Sequence, residues 1–485
     1  MNPATLLLLT VAIPGASTIF IALSGAHPNR REAVTLIAAG LLFATVAALT
    51  LDSWGGDPIS TAPWPILPGV ELRLAIEPLG LLFGAVASLL WIVNSIYSIG
   101  YMRANREPRQ TSFYVCFAAS LAATMGIAFA ANLATLFLFY EMLTLATYPL
   151  VVHKHNAEAI RAGRIYLAML LGSSLVLFLS AVVWVYLLTG TGDFVSGGIV
   201  ARVADAPTTG VLLALFVFGI GKAAVMPIHR WLPAAMVAPT PVSALLHAVA
   251  VVKAGVFSVL KVVVYVLGVD HLAEVGIGSW LVAVAGFTVL AASVIALFQN
   301  NLKRRLAYST VSQLSYVVLA AGLLAPLSTV GAALHIAAHA FGKITLFFAA
   351  GAIYTAAHKT EVSELDGIGR RMPLTMAAFA VGAFSMIGLP PTAGFISKWY
   401  ILAAAAEGGH SIVLAVLLLS TLLNAAYLLP PVYVAFFREG SGEMHGEAPA
   451  PIVVAQGLTA IGCIALFLFP AAALDLAWRI AGVVP

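Results

Sequence analysis

Apolar runs of about twenty residues recur from one end of the 485-residue chain to the other, separated by short polar breaks. About twenty apolar residues is what an α-helix needs to cross the hydrocarbon of a bilayer. The pattern predicts about fourteen spanning helices, with approximate ends at 3–24, 33–51, 77–100, 112–130, 133–152, 164–189, 209–226, 240–267, 278–298, 306–324, 328–356, 374–405, 411–436 and 451–480. Nothing is left over for a soluble domain of any size, so the expected fold is an all-α polytopic membrane protein. The first run is followed, not preceded, by its basic residues Arg30 and Arg31. It is therefore expected to be a retained first helix and not a cleaved leader.

Composition agrees: 61% of residues are hydrophobic and 9% charged, against roughly 25% charged in an ordinary soluble domain. The net charge of +4 comes from basic residues scattered over short loops, with no continuous patch for nucleic acid. These residues serve better as topology signals. With both termini outside, sixteen of the 24 Lys and Arg fall in cytoplasmic loops, among them Arg30, Arg31, Lys303, Arg304, Arg305, Arg370 and Arg371. Only Arg73, Arg202 and Arg479 fall outside, as the positive-inside rule requires. The protein is expected in the cytoplasmic membrane of a prokaryote. Cys116 and Cys463 lie in apolar runs without metal-ligand spacing, so neither a disulfide framework nor a cluster site is expected.

The remaining five basic residues are lysines inside predicted helices: Lys222, Lys253, Lys261, Lys343 and Lys398. A charge at the bilayer centre costs about 2.5–3.5 kcal/mol on insertion scales, so such residues default to function. Glu141, in LATLFLFYEMLTLATYPL, is the acid placed deep in an apolar run, and Lys222 is its expected partner. A pair that merely fixes helix packing is the competing reading. Lys261, near the end of its helix, is expected to reach the interface by snorkelling. His335, His339 and Lys343 are each four residues apart, which on a helix makes one polar stripe about 12 Å long. Histidine titrates near neutral pH and a dry environment favours neutral lysine, so the stripe suits a proton relay. A zinc pair at H-x-x-x-H lacks further ligands, and plain packing contacts are the other alternative. His247 and Lys253 share the eighth helix and could bridge Glu141 and Lys222 to the stripe.

Segments seven and twelve carry matching interruptions, GKAAVMPIHRWLPAAMVAPTP and GLPPTAGFISKW. Proline removes a helical hydrogen bond, which in lipid is tolerated where protein or a water-lined cavity satisfies the freed groups. Paired broken segments in two halves point to an inverted-repeat transporter. The expected division is 1–110 for three N-terminal helices, 111–268 for repeat one (helices four to eight), 277–437 for repeat two (nine to thirteen) and 450–485 for helix fourteen.

FYEMLTLATY, WLPAAMVAPTPVSALLHAVAVVKAGV, NNLKRRLAYSTVSQLSYV, HIAAHAFGKITLFFAAG and FSMIGLPPTAGFISKWY together resemble the proton-translocating membrane subunits common to complex I, membrane-bound hydrogenases and Mrp antiporters. The resemblance implies a fourteen-helix core with inverted five-helix repeats and a polar axis across the membrane plane. It implies a proton pathway of Glu141, Lys222, His247, Lys253, His335, His339, Lys343 and Lys398, with no cofactor, no metal and no catalytic residue in this chain. Many members read WLPxAH where this chain reads WLPAAM, so Met236 removes a polar group near the inner uptake path. The end of the chain soon after helix fourteen implies the absence of the long lateral helix of the largest complex I subunit of this type. Lys398, where a glutamate would be expected, sets the chain apart from the middle antiporter-like subunit of complex I, and KTEVSELDGIGRRMP with the compact length resembles most the D-type subunit of Mrp antiporters or the corresponding hydrogenase subunit. The former implies exchange of Na+ or K+ against protons alongside other membrane subunits. The alternatives are the proton-pumping arm of a redox complex and a scaffold that no longer conducts. The chain has no cysteine cluster and no G-x-G-x-x-G fingerprint, so redox centres would belong to partners.

Overall fold

The computed structural model describes residues 2–52, 59–440 and 446–483, without the side chains of Asp52 and His247. The first six crossings are α1 (Pro3–Leu23), α2 (Pro28–Asp52), α3 (Pro78–Ala104), α4 (Gln110–Ala128), α5 (Leu133–Val151) and α6 (Ala157–Thr189). The seventh, α7 (Ala206–Gly219), stops short and is followed by irregular turns up to α8, which spans 240–267. Then come α9 (Gly278–Leu297), α10 (Leu302–Gly322), α11 (Pro326–Ala357), α12a (Pro373–Ile387), α12b (Ala393–Glu407), α13 (Ser411–Phe437), α14 (Ala450–Leu468) and α15 (Ala471–Ile480).

Each of the fourteen expected crossings has a counterpart. Ten of the described helices are long and apolar enough to span a bilayer unaided. The crossings outside that set are α7 and α12, which are interrupted, α8, which is divided by π-helical turns, and α10, which opens with Lys303, Arg304 and Arg305. Large apolar side chains such as Phe20, Ile37, Leu187, Phe287, Ile412 and Phe437 point outward, as a chain solvated by lipid requires.

Three features depart from the sequence reading. The last crossing ends at Leu468, not near 480. Pro470 interrupts it, and α15 follows with Asp475 and Arg479 paired at 2.9 Å. An antiparallel hairpin, β1 (Trp64–Leu67) with β2 (Val70–Leu72), occupies a stretch read as loop. The π-helical turns Ser174–Phe178, Leu245–Val249 and Val262–Leu267 lie inside α6 and α8, and no sequence pattern foretold them.

The bundle has two ends. Ala130, just after α4, pairs with Leu74 beside the hairpin, whereas Asn301, just after α9, pairs with Glu361 among the basic loops. Helices α4 and α9 therefore run in opposite directions. Each opens a block of five, and each block is interrupted at its fourth member. At the centre stands α11, whose most apolar 18-residue stretch is wholly buried among α3, α10, α12 and α14. Its polar stripe accordingly faces protein on every side.

Candidate functional site

All five intramembrane lysines are buried, Lys222, Lys261 and Lys343 completely and Lys253 and Lys398 to within 6% exposure. Lys222 sits in the turn Gly221–Ala223 that follows the end of α7. Its Nζ donates to the Tyr140 carbonyl at 2.8 Å and to Thr144 Oγ1 at 2.6 Å, and stands 3.2 Å from the centre of the Tyr140 ring. Glu141, its expected partner, forms no hydrogen bond with it but lies close enough for its charge to act on the ammonium. Tyr140 and Thr144 lie one turn apart on the face of α5 that looks toward the break, and Glu141 is rotated about 100° away from that face. Both Glu141 carboxylate oxygens are shielded from the surface without a hydrogen-bond partner.

A glycine brings the break against α8. A Cβ on Gly255 would lie 2.2 Å from Ala223 N and 2.2 Å from the Lys222 carbonyl carbon, so only glycine lets the two backbones approach this closely. Lys253 lies two residues earlier, and its Nζ is 2.5 Å from Nδ1 of His339 on α11. The main chain of His247 lies in the π-helical turn Leu245–Val249. Its side chain falls outside the described residues.

From His339 the stripe continues to His335, with ring centres 6.0 Å apart. His335 Nδ1 is 2.9 Å from Ser397 Oγ, which places the stripe beside Lys398 on α12b. Lys398 Nζ donates to the carbonyls of Met386 at 2.7 Å and Ile387 at 3.1 Å. These belong to the last turn of α12a, where interruption leaves carbonyls without helical partners. Gly388, at φ 93°, ends that helix, and a Cβ there would lie 2.8 Å from Lys398 Cδ. The Tyr316 ring stacks on His335 at 5.6 Å and lies 4.7 Å from Lys398 Nζ.

Lys343, the third member of the stripe, turns toward α10. Its Nζ donates to Ser309 Oγ at 2.5 Å, and the same Oγ accepts from the Tyr427 hydroxyl on α13 at 3.0 Å. Lys253, His339, His335, Ser397 and Lys398 thus form one chain of polar groups, with Lys343 on a branch and Lys222 against the backbone of α8. Glu141 acts on Lys222 through its charge, without a hydrogen bond to it. Among the described residues no three His, Cys, Asp or Glu side chains converge as a metal site would require.

Sequence reasoning missed Tyr140, Thr144, Ser309, Tyr316, Ser397 and Tyr427. A hydroxyl in an apolar helix is a weak signal, because it can bond the carbonyl one turn back, as Thr345 does to Phe341. Arg305, read as a loop residue, is also buried and donates to the carbonyls of Gln299 at 2.8 Å and Tyr427 at 3.0 Å. Met236 lines a cavity of about 310 Å³ at the basic end, together with Lys154, Glu158, Lys303 and Lys359.

Known proteins carry the same architecture. The family described as NADH:quinone oxidoreductase/Mrp antiporter, TM, matches residues 130–424. NADH-quinone oxidoreductase subunit N of Desulforudis audaxviator is 30% identical over 96% of this chain and 95% of its own length. A probable K(+)/H(+) antiporter component of Rhizobium meliloti is 32% identical over 70% of this chain and 33% of its own length. Among solved structures, a chain of the Mrp complex from Dietzia sp. DQ12-45-1b superposes with a TM-score of 0.86 at 20% identity, covering 99% of this chain and 97% of that one. A chain of the archaeal membrane-bound sulfane sulfur reductase gives the same TM-score at 24% identity, over 98% and 97%. With the family match spanning more than half of the sequence, this chain belongs to the proton-translocating, antiporter-like membrane subunits of the NADH:quinone oxidoreductase/Mrp antiporter family.

Proposed function

We propose that this chain carries protons through the membrane from Lys222, by way of Lys253, His339 and His335, to Lys398, as one component of an Mrp-type exchanger of Na+ or K+ against protons. The observation that carries the reading is the buried row of polar groups from Lys253 Nζ, 2.5 Å from His339, through His335, its ring centre 6.0 Å from that of His339, to Ser397 Oγ, 2.9 Å from His335. Groups at hydrogen-bond reach pass a proton directly, and the longer step between the two histidines is one that a single water bridges. Glu141 and Lys222 act as the switch. When the carboxylate moves closer it holds the ammonium; when it moves away the proton is free to move inward. The positive-inside rule places the basic end at the cytoplasm and both termini outside. The two repeats, 111–268 and 277–437, each contribute one lysine beside a break, and helices 1–110 and 450–485 flank them.

The K(+)/H(+) antiporter relative and the Mrp superposition support the exchanger assignment. A second reading, the proton-pumping arm of a redox complex, is favoured by the end-to-end match to an NADH-quinone oxidoreductase subunit. Under both readings the protein works together with other membrane subunits. Mass spectrometry of the intact complex copurified from native membranes separates them, since small antiporter subunits support the exchanger and flavin- or iron–sulfur-bearing partners support the redox arm. Under either reading, Lys222→Ala abolishes proton transport in everted vesicles while the complex still assembles. Normal transport by an assembled K222A complex refutes the pathway.

A further inference from the structure

One buried charge pair plays no part in that relay. Lys261 lies eight residues after Lys253 on α8, about 12 Å nearer the hairpin end. The snorkelling expected from the sequence does not occur, and the side chain is wholly enclosed. Its Nζ donates to the Ala130 carbonyl at 2.6 Å and lies 4.4 Å from the Phe194 ring centre. It forms an ion pair with Glu77, Nζ 3.0 Å from Oε2.

Glu77 precedes the first turn of α3, and its side chain is 17% exposed. It lines a cavity of about 410 Å³ at the hairpin end, with Tyr265, Asp270 and Arg479 also on the wall. The carboxylate therefore touches the lysine on one side and the cavity on the other. Ser258, one turn before Lys261, has a buried Oγ without a hydrogen-bond partner, which puts a further polar atom on α8 between the two lysines.

Stability does not explain the pair. Apolar side chains in its place would avoid the desolvation of two charges, and such replacement is commonly neutral or stabilising. Glu77 could favour the start of α3 through the helix dipole without any lysine. The geometry points to Glu77 and Lys261 as the group pair through which protons leave the polar axis for the hairpin-side cavity. The ammonium of Lys261 gives its proton to the Glu77 carboxylate and regains its lone pair. The resulting carboxylic acid gives the proton to water in the cavity, and the lysine is reloaded from the axis. This inference rests on the proton-carrying reading above and adds a release site to it.

K261R separates a relay from a staple. Guanidinium keeps the charge and the ion pair but does not release its proton in a protein. Proton transport is measured in vesicles containing the intact complex, with assembly followed on native gels and K222A run in parallel. The expected result is an assembled K261R complex with transport reduced at least tenfold. An assembled K261R complex that transports normally, while K222A does not, overturns the release site and leaves the axis standing. If K222A also transports normally, the axis itself is wrong and the release site falls with it. Should K261R not assemble, E77Q gives the reading, because it fills the same space without a titratable carboxylate. Loss of transport in assembled E77Q supports the release site and normal transport overturns it.

Discussion

Gly255 offers a test of the relay that leaves every titratable group in place. A methyl at this position would stand 2.2 Å from two backbone atoms of the Lys222 turn, where ordinary contact begins near 3.4 Å. Backbone cannot rotate aside, so in Gly255→Ala the turn and α8 must part by about 1.2 Å, the difference between those two distances. Overpacking of this kind costs about 1–3 kcal/mol. The same displacement carries Lys222 away from its place beside α8, and a misplacement of about 1 Å can cost roughly a hundredfold in a reaction that depends on positioned groups. Elsewhere in a helix the substitution would gain about 1 kcal/mol in propensity, so its sign here is informative. The assay is proton uptake by everted vesicles, normalised to assembled complex, with Gly457→Ala as control because a Cβ there meets nothing within 4 Å. We expect G255A to lose at least tenfold and G457A to lose nothing. An assembled G255A complex with unchanged transport would refute the idea that the approach of α8 to the break sets the rate.

Two further outcomes follow from the site and its surroundings. Ser397→Ala removes the partner of His335 Nδ1 and leaves a buried nitrogen unpaired at a cost of about 1–3 kcal/mol; vesicle assays should show transport down roughly ten- to hundredfold with assembly retained. Burial, assisted by the Arg109 guanidinium, pushes His153 from 6.5 down to about 4 in the loop after α5. The folded chain thus keeps this histidine neutral while the unfolded chain protonates it, so its contribution to stability is complete above pH 6.5 and falls as pH drops toward 4. The Tm of the purified complex should therefore fall less in His153→Asn than in the parent between about pH 7 and about pH 5.

How much of this was legible in the sequence depended on the kind of signal. Crossings were legible because lipid imposes one requirement on every residue of a span. Both interruptions were legible because Pro227 and the pair Pro390–Pro391 cannot continue a helix. The lysines were legible because burying them is costly, yet their partners were not. Lys261 lies close to the end of its helix in sequence, and only the fold shows that α3, the Phe194 loop and the segment after α4 close over it. Glu141 was legible as a buried acid, but whether it meets Lys222 depends on which face of α5 looks toward the break. That face is a rotational matter that spacing within one helix does not decide.

Gln313 shows which demand the fold has favoured. On α10, Ser309 meets Lys343 and Tyr316 meets His335, so the two helices run in opposite directions past one another along the stripe. Gln313 falls between those contacts, at the level of His339, and both its amide atoms are buried without a hydrogen-bond partner. An orphaned amide costs about 1–3 kcal/mol, and leucine of similar size would avoid the loss. A bundle selected only to pack would not place such a group against the stripe. A bundle that must hold a continuous polar face beside His339 would, because an amide can both donate and accept as a proton passes. The same reasoning covers the lysines. Lys222 and Lys398 each lie close to a tyrosine ring, Tyr140 on the second helix of one block and Tyr316 on the second helix of the other. Each also rests on main-chain carbonyls. The ring and the carbonyls stabilise an ammonium without neutralising it, which holds the charge in place while leaving its proton transferable. A fixed carboxylate in contact would hold the proton more tightly. Glu141 acts on Lys222 through its charge without a hydrogen bond, which suits a group that must keep its charge and still give up its proton.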